Sequence, residues 1–245
     1  MSWIIAHRGD HRDHIENTLG AFERAYTREN TFVELDVQLT CDLVPVIFHD
    51  DKLERFTHLV NEVREFNHAQ IKTLELQEGT KDSAKIPTLD KFLNKFPNLP
   101  VYFELKVPQS KQNCLPYLND LAAKTLEVLA QHHVHQDSFL ASFHPRMGHI
   151  LQSLNSSFKY TQIFEDKKLF EDSFDWTPQA LGFSEQLKDQ SWDFISISWK
   201  SVWRQLEDPN ILDQSLIFIW GIENEDFISQ KQGQFKGLVS DTYFL

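Results

Sequence analysis

Short apolar runs alternate along this chain with longer amphipathic stretches. The runs that read as strands are Trp3–Ala6, Val33–Gln38, Val46–His49, Val101–Lys106, Ser138–Phe143, Lys159–Phe164, Asp193–Ser198, Leu216–Gly221 and Gly237–Ser240. Between most of them the apolar positions change to helical spacing. Thr18–Tyr26 carries Leu19, Phe22, Ala25 and Tyr26 in this way. Thr88 opens a second pattern through Leu89, Phe92, Leu93 and Phe96, and Pro97 stops it. Leu118–His132 sets Leu118, Leu121, Ala122, Thr125, Leu126 and Leu129 on one face, and Pro145–Leu154 and Glu225–Gln232 follow strands in the same manner. Strand–helix alternation over the whole length implies a parallel sheet. About eight such units in 245 residues predict an α/β fold, a (β/α)₈ TIM-type barrel.

Nine runs are one too many for eight units. No helix fits between Gln38 and Val46, and a parallel crossover needs about a dozen residues or more. A β-hairpin at strand two, turning near Cys41-Asp42-Leu43, resolves the count and sets Asp36 roughly opposite His49. No domain boundary is visible, so residues 1–245 are expected to form a single barrel domain. A small inserted segment is expected at about residues 50–87, following His49. Within it Glu54–Lys85 is polar and poorly periodic, which suits a loop with short helices over one barrel mouth.

Composition narrows the classes. Hydrophobic residues make up 41%, with 20 Phe and 6 Trp, so a large aromatic core can form and a disordered chain is excluded. The net charge of −12 repels phosphate backbones, which argues against nucleic acid as a partner. A small anionic substrate would need a local positive site. Two cysteines, Cys41 and Cys114, are too few for a disulfide framework or a cysteine-built zinc site. The N-terminus, MSWIIAHRGD, lacks the pattern of a secretory signal, and no apolar run is long enough to span a bilayer. A cytoplasmic protein is the expectation.

Barrel enzymes carry their chemistry at the C-terminal ends of the strands. There the first strand ends in His7-Arg8-Gly9, the second carries Glu34 and Asp36, its hairpin partner ends in His49-Asp50, and the fourth run ends in Glu104-Leu105-Lys106. Residues two apart on a strand share a face, so Glu34 and Asp36 would point into the mouth together. Two adjacent buried anions repel each other, and a divalent cation relieves that. With Glu104 there are three oxygen ligands, a hard set suited to Mg²⁺ or Ca²⁺. The competing reading turns Glu34 and Asp36 outward on an edge strand. His7 and His49 suit acid–base work because an imidazole titrates near neutrality. Arg8 and Lys106 suit a phosphate, or else salt bridges to the neighbouring carboxylates. His11, His14, His58, His68, His132, His133, His135 and His149 lie in polar or loop-like stretches and read as structural. A phosphate-binding glycine loop, a G-x-S-x-G elbow and an HExxH helix are all missing from the sequence.

The stretches HRGDHRDHIENTLGAFERA, ELDVQLTCDLVPVIFHDDKLERFT and YFELK, in that order, resemble the glycerophosphodiester phosphodiesterase family, a branch of the phosphatidylinositol-phospholipase-C-like barrels. Weaker likeness continues through Ala141–Phe143, Ile219–Asn224 and Gly237–Asp241. The resemblance implies a TIM-type barrel that hydrolyses glycerophosphodiesters to glycerol 3-phosphate and an alcohol. It implies Glu34, Asp36 and Glu104 as ligands of one divalent metal ion, and His7 and His49 as the general acid/base pair. It implies Arg8 and Lys106 as phosphate contacts, Glu16 and Asn17 at the rim of the metal and substrate site, Trp220 near the glycerol and Phe143 as an apolar wall.

Departures from the family pattern are Ile15 in place of Pro, Leu43 in place of a turn Gly, a late motif without its Thr and Val, and Tyr243 in place of Pro. The partner implied is a small glycerophosphodiester, with neither nucleic acid nor a membrane span. The rival activities are a lysophospholipase-D-like or sphingomyelinase-D-like reaction on the same barrel, which would use an apolar channel, or binding of a phosphate ester without turnover. The many aromatics, Trp199, Trp203 and Phe218 among them, permit such a channel, though such residues more often pack a core or barrel.

Overall fold

In the computed structural model, described over residues 2–27, 32–164, 192–199, 216–222 and 233–241, all nine apolar runs are strands. They are β1 (Trp3–Ala6), β2 (Phe32–Leu39), β3 (Pro45–Ile47), β4 (Val101–Leu105), β5 (Phe139–Ser142), β6 (Tyr160–Ile163), β7 (Phe194–Ser198), β8 (Ile217–Ile222) and β9 (Gly237–Ser240). Eight of them run parallel in the order β1-β9-β8-β7-β6-β5-β4-β2, and pairing of β1 with β2 closes the ring. The ninth, β3, lies antiparallel on β2 as the hairpin arm. The expected TIM-type barrel is therefore present. Helices α1 (Leu19–Tyr26), α2 (His68–Ile71), α3 (Leu89–Lys95), α4 (Leu115–Leu129) and α5 (Met147–Ser153) fill described connections. The helix expected at Glu225–Gln232 lies outside the described residues.

Local chemistry explains the boundaries. Thr18 and Thr88 cap α1 and α3, their hydroxyls accepting from Ala21 N and Lys91 N. Helix α4 starts three residues before the predicted Leu118, because Pro116 occupies the first turn, where its missing N–H costs nothing. The hairpin register differs by one from expectation. Val37 pairs with Ile47, and the Phe48 N–H donates to the Asp36 carbonyl at 2.9 Å, so Phe48 rather than His49 faces Asp36. The turn holds itself by Leu43 N–H donating to the Thr40 carbonyl at 3.0 Å and Thr40 N–H donating to Val44 at 3.1 Å. Leu43 takes φ 62°, the position at which such a turn ordinarily has glycine.

Alternation along β2 decides which way the carboxylates face. Val33, Leu35 and Val37 belong to the outer cluster with Phe22 of α1, Phe92 of α3 and Leu121 of α4. Phe32, Glu34 and Asp36 therefore point inward. A floor of aromatic rings fills the barrel beneath them. Trp3 stacks on Phe32 with centroids 4.5 Å apart, Tyr102 meets Phe139 edge-on at 4.7 Å, and Phe218 lies 4.8 Å from Phe139. Phe218 is completely buried in this floor, so it lines no channel. Gly237 admits its ring: a Cβ there would stand 2.6 Å from Phe218. One step up β2 and β4, the inward positions change from the aromatic Phe32 and Tyr102 to the ionisable Glu34 and Glu104.

Residues 50–87 fold as the 3₁₀ turns Leu53–Arg55 and Val63–Glu65 and the short α2, with isolated bridges Lys52–Glu62 and Leu76–Ala84. Leu53, Phe56, Val63, Ile71, Leu76 and Ile86 form a separate apolar cluster with Val46 and Phe48 of the hairpin arm. This packing depends on contacts between distant residues, which is why the segment lacks a period. Among the described residues no helix is long and apolar enough to cross a membrane.

Candidate active site

The three carboxylates converge. Asp36 and Glu104 are direct register partners on β2 and β4, and ligand oxygens of Glu34, Asp36 and Glu104 all lie within 4.8 Å of one another. All three residues are buried. Glu34 Oε1, Asp36 Oδ1 and Glu104 Oε1 are each enclosed without a well-formed hydrogen bond among the described residues, with the Lys106 ammonium 3.2 Å from Glu104 Oε1 and 3.9 Å from Asp36 Oδ1. Burial, then Asp36 and Glu104, push the Glu34 carboxyl well above the usual carboxylate range. Burial would do the same to Asp36, but His49, Lys106, Arg8 and the Asn17 amide outweigh it and hold that carboxyl low. Three converging, buried carboxylates form a cradle that could hold a metal ion.

Two imidazoles flank the cradle, each held at Nδ1 by a carboxylate. His7 follows β1 and donates from Nδ1 to Asp241 Oδ1 at 2.6 Å, while its Nε2 stands 3.9 Å from Glu34. Burial is the main cause lowering the His7 pKa, with Arg8 adding to it and Asp241 opposing. His49 donates from Nδ1 to Asp50 Oδ1 at 2.6 Å, and the Lys106 ammonium donates to its Nε2 at 3.0 Å. That pair of contacts fixes one tautomer, with the Nε2 lone pair turned toward the site.

The basic groups lie between these. Arg8 sits at φ 56°, a conformation that aims its backbone N–H at Glu34 Oε2, 2.9 Å away. Its Nη1 donates to Glu16 at 2.8 Å and its Nε lies 3.5 Å from Asp36. Burial works against the Arg8 charge, but Asp36, Glu16 and Glu34 prevail and raise its pKa. Lys106 Nζ lies 3.2 Å from Glu104 Oε1 and 5.6 Å from the centre of the Phe143 ring. Both cations thus make the carboxylate pairs that the sequence left open. Gly9 permits this crowding: at φ 82°, its missing Cβ would meet the Ala21 backbone at 2.8 Å.

Glu16 and Asn17 are buried beneath the rim. Asn17, at φ 56°, donates from Nδ2 to Asp36 Oδ2 at 2.8 Å. Phe143 and Trp220 meet edge to face at 5.8 Å. They form one wall of a cleft of about 580 Å³ that reaches His49, Glu104 and Lys106 on one side and Gln109, Gln112 and His144 on the other. All eleven residues that the sequence brought forward therefore border this mouth or brace it from just beneath.

Four residues at the mouth were given no site role from the sequence: Asp50, Arg55, His11 and Asp241. Asp50 follows His49 directly, and its adjacency was a usable signal. Arg55 donates to both Asp50 and Glu16. His11, read from the sequence as structural in a loop, donates from Nε2 to Asp241 Oδ1 at 3.0 Å, the oxygen that also holds His7. Asp241 directly follows β9, the position that marked the other strand-end residues. Burial would raise the Asp241 pKa, but its bonds from His11 and His7 keep it well below the carboxylate range.

A family model described as the Glycerophosphoryl diester phosphodiesterase family matches residues 7–204. A glycerophosphodiester phosphodiesterase from Caldanaerobacter subterraneus subsp. tengcongensis is 42% identical over 89 residues, covering 35% of this chain and 37% of that protein. The match to this curated relative thus spans less than half of its length. A phosphodiesterase from Oleispira antarctica, solved in complex with the product sn-glycerol-3-phosphate, superposes with a TM-score of 0.73 at 22% identity, covering 98% of this chain and 93% of that one. A glycerophosphodiester phosphodiesterase from Thermotoga maritima gives a TM-score of 0.70 at 20% identity, covering 98% and 95%. These two likenesses speak to the barrel. With a family model running from His7 through most of the strands described above, the chain belongs to the glycerophosphoryl diester phosphodiesterase family.

Proposed function

We propose that this chain hydrolyses glycerophosphodiesters to glycerol 3-phosphate and an alcohol. The observation that carries the reading is the set of three converging, buried carboxylates beside two imidazoles, each tethered at Nδ1, with His7 Nε2 near Glu34 and His49 Nε2 facing the Lys106 ammonium. Glu34, Asp36 and Glu104 would hold one divalent cation, Mg²⁺ or Ca²⁺. When bound, the ion supplies Lewis-acid polarisation of a phosphoryl oxygen and relieves the repulsion among its ligands.

The side chains of the chain itself do the rest. Arg8 and Lys106 present positive charge to the remaining phosphoryl oxygens, where negative charge grows in the transition state. In a molecule of net charge −12 they also supply the local attraction an anionic diester needs. His7 and His49 divide the two proton transfers: one Nε2 takes the proton of the attacking hydroxyl, and the other returns a proton to the leaving oxygen. Asp241 and Asp50 accept from Nδ1–H in both the neutral and the protonated ring, so the base takes up its proton at Nε2 and the acid, starting as imidazolium, gives one from Nε2. Asn17 orients Asp36, and Glu16 orients Arg8. The Phe143–Trp220 wall excludes water from one side of the cleft and receives the apolar face of the glycerol.

The test is a panel of glycerophosphodiesters with different alcohols, each incubated with Mg²⁺, Ca²⁺ or chelator, with products identified by phosphorus NMR. Appearance of glycerol 3-phosphate from these diesters supports the reading. Cleavage of lysophosphatidylcholine alone, or tight binding without product, would replace it with one of the rival activities.

A further inference from the structure

We propose that Arg55 is a positioning residue that locks the two sides of the site together, setting His49 through Asp50 and Arg8 through Glu16. The inference rests on the hydrolytic reading above.

Arg55 ends the 3₁₀ turn Leu53–Arg55, six residues past His49 and 39 from Glu16. Its guanidinium grips two carboxylates at once. Nε and Nη2 donate to Asp50 Oδ2 and Oδ1 at 2.6 and 2.9 Å. Nη1 and Nη2 donate to Glu16 Oε2 and Oε1 at 2.9 and 2.5 Å. The oxygens that Nη2 meets are informative. Asp50 Oδ1 is the atom that accepts from His49 Nδ1, and Glu16 Oε1 is the atom that accepts from Arg8 Nη1. One nitrogen therefore touches both oxygens that hold a working group.

Glu16, His49 and Asp50 bring ligand atoms within 4.8 Å of one another, a second acidic cluster beside the cradle. Here the positive charge comes from the protein. Without it, a buried Glu16 and a half-buried Asp50 would repel each other and swing apart, carrying Arg8 and His49 with them. A lysine cannot do the same work, because a point charge does not fork to two carboxylates. Arg55 lies outside the cleft lining, so it acts through Asp50 and Glu16 rather than on substrate. Its side chain is 40% exposed, which lets a small solute reach the same place.

The test compares wild type, Arg55→Ala, Arg55→Lys, Asp50→Asn and the Arg55→Ala/Asp50→Asn double variant. It reads kcat, KM, thermal midpoint, and the tautomer of His49 by nitrogen-15 NMR. Arg55→Ala should lose about ten- to hundredfold in kcat, as loss of an orienting partner does. Added guanidinium should recover part of that loss, and Arg55→Lys should not. The double variant should be no slower than the slower of its two single variants. The His49 ring should leave its single Nδ1–H tautomer in Arg55→Ala. Wild-type kcat and an unchanged His49 spectrum in Arg55→Ala would overturn the proposal, as would a lower thermal midpoint with kcat intact. Should Arg55→Ala fail to fold, Arg55→Lys carries the same kinetic and spectral readouts. The NMR arm stands even if wild type turns over no glycerophosphodiester, so failure of the hydrolytic reading is distinguishable from failure of this one.

Discussion

Asp36 and Glu104 stand side by side on adjacent parallel strands, both buried, with the single Lys106 ammonium 3.9 Å from Asp36 Oδ1 and 3.2 Å from Glu104 Oε1. Such a pair is costly unless a cation compensates it. Glu104→Gln keeps the shape and removes one charge. Its affinity for Mg²⁺ or Ca²⁺, measured by calorimetry, should fall at least about tenfold. An unchanged affinity would place the ion elsewhere.

Asp241 holds His7, and its own charge is stabilised by His11 as well. Asp241→Asn should leave the fold intact and lower kcat on the order of 10–100-fold, with a smaller change in KM. His7→Ala should cost more, on the order of 10²–10⁴. Adding Asp241→Asn to His7→Ala should cost little further. Additive losses would show that Asp241 acts by another route.

Leu43 adopts the left-handed conformation at the hairpin turn with its side chain partly exposed. Glycine takes that conformation without the penalty. Leu43→Gly should stabilise the chain by about 1 kcal/mol in urea unfolding, the strain removed exceeding the entropy glycine adds to the unfolded chain. A loss of stability would mean that Leu43 contributes packing the turn needs.

Asp10 is buried between Arg12 and Arg24. Burial opposes its ionisation, but the two arginines prevail and bring its pKa down to about 2. A carboxylate depressed in the folded state stabilises fully above its unfolded pKa of about 3.9. That contribution fades as pH falls toward about 2. Between pH 5 and 2, wild type should lose more of its urea midpoint than Asp10→Asn. Parallel losses would contradict the pairing.

Much of this was legible in the sequence for a definable reason. Buried strands must be apolar over several consecutive residues, so all nine runs stood out, and the missing crossover after Gln38 forced the hairpin. The inward ionisable groups were legible because each follows or interrupts such a run. Arg55 and His11 were not, because Glu16 and Asp241, which tie them to the site, lie 39 and 230 residues away and neither residue sits on a periodic element. The one-residue difference at Phe48 has a local cause: the Leu43 turn fixes the register, and a turn without glycine leaves its own geometry unreadable.

The account's central claim is that Glu34, Asp36 and Glu104 serve a metal-dependent phosphodiester hydrolysis. The most direct measurement is release of glycerol 3-phosphate from glycerophosphoethanolamine by wild type and Glu34→Gln, first in chelator and then across a titration of Mg²⁺ or Ca²⁺. Release should stop in chelator, return with the added ion, and stay absent in Glu34→Gln at every concentration. Undiminished release in chelator, or full activity in Glu34→Gln, would contradict it.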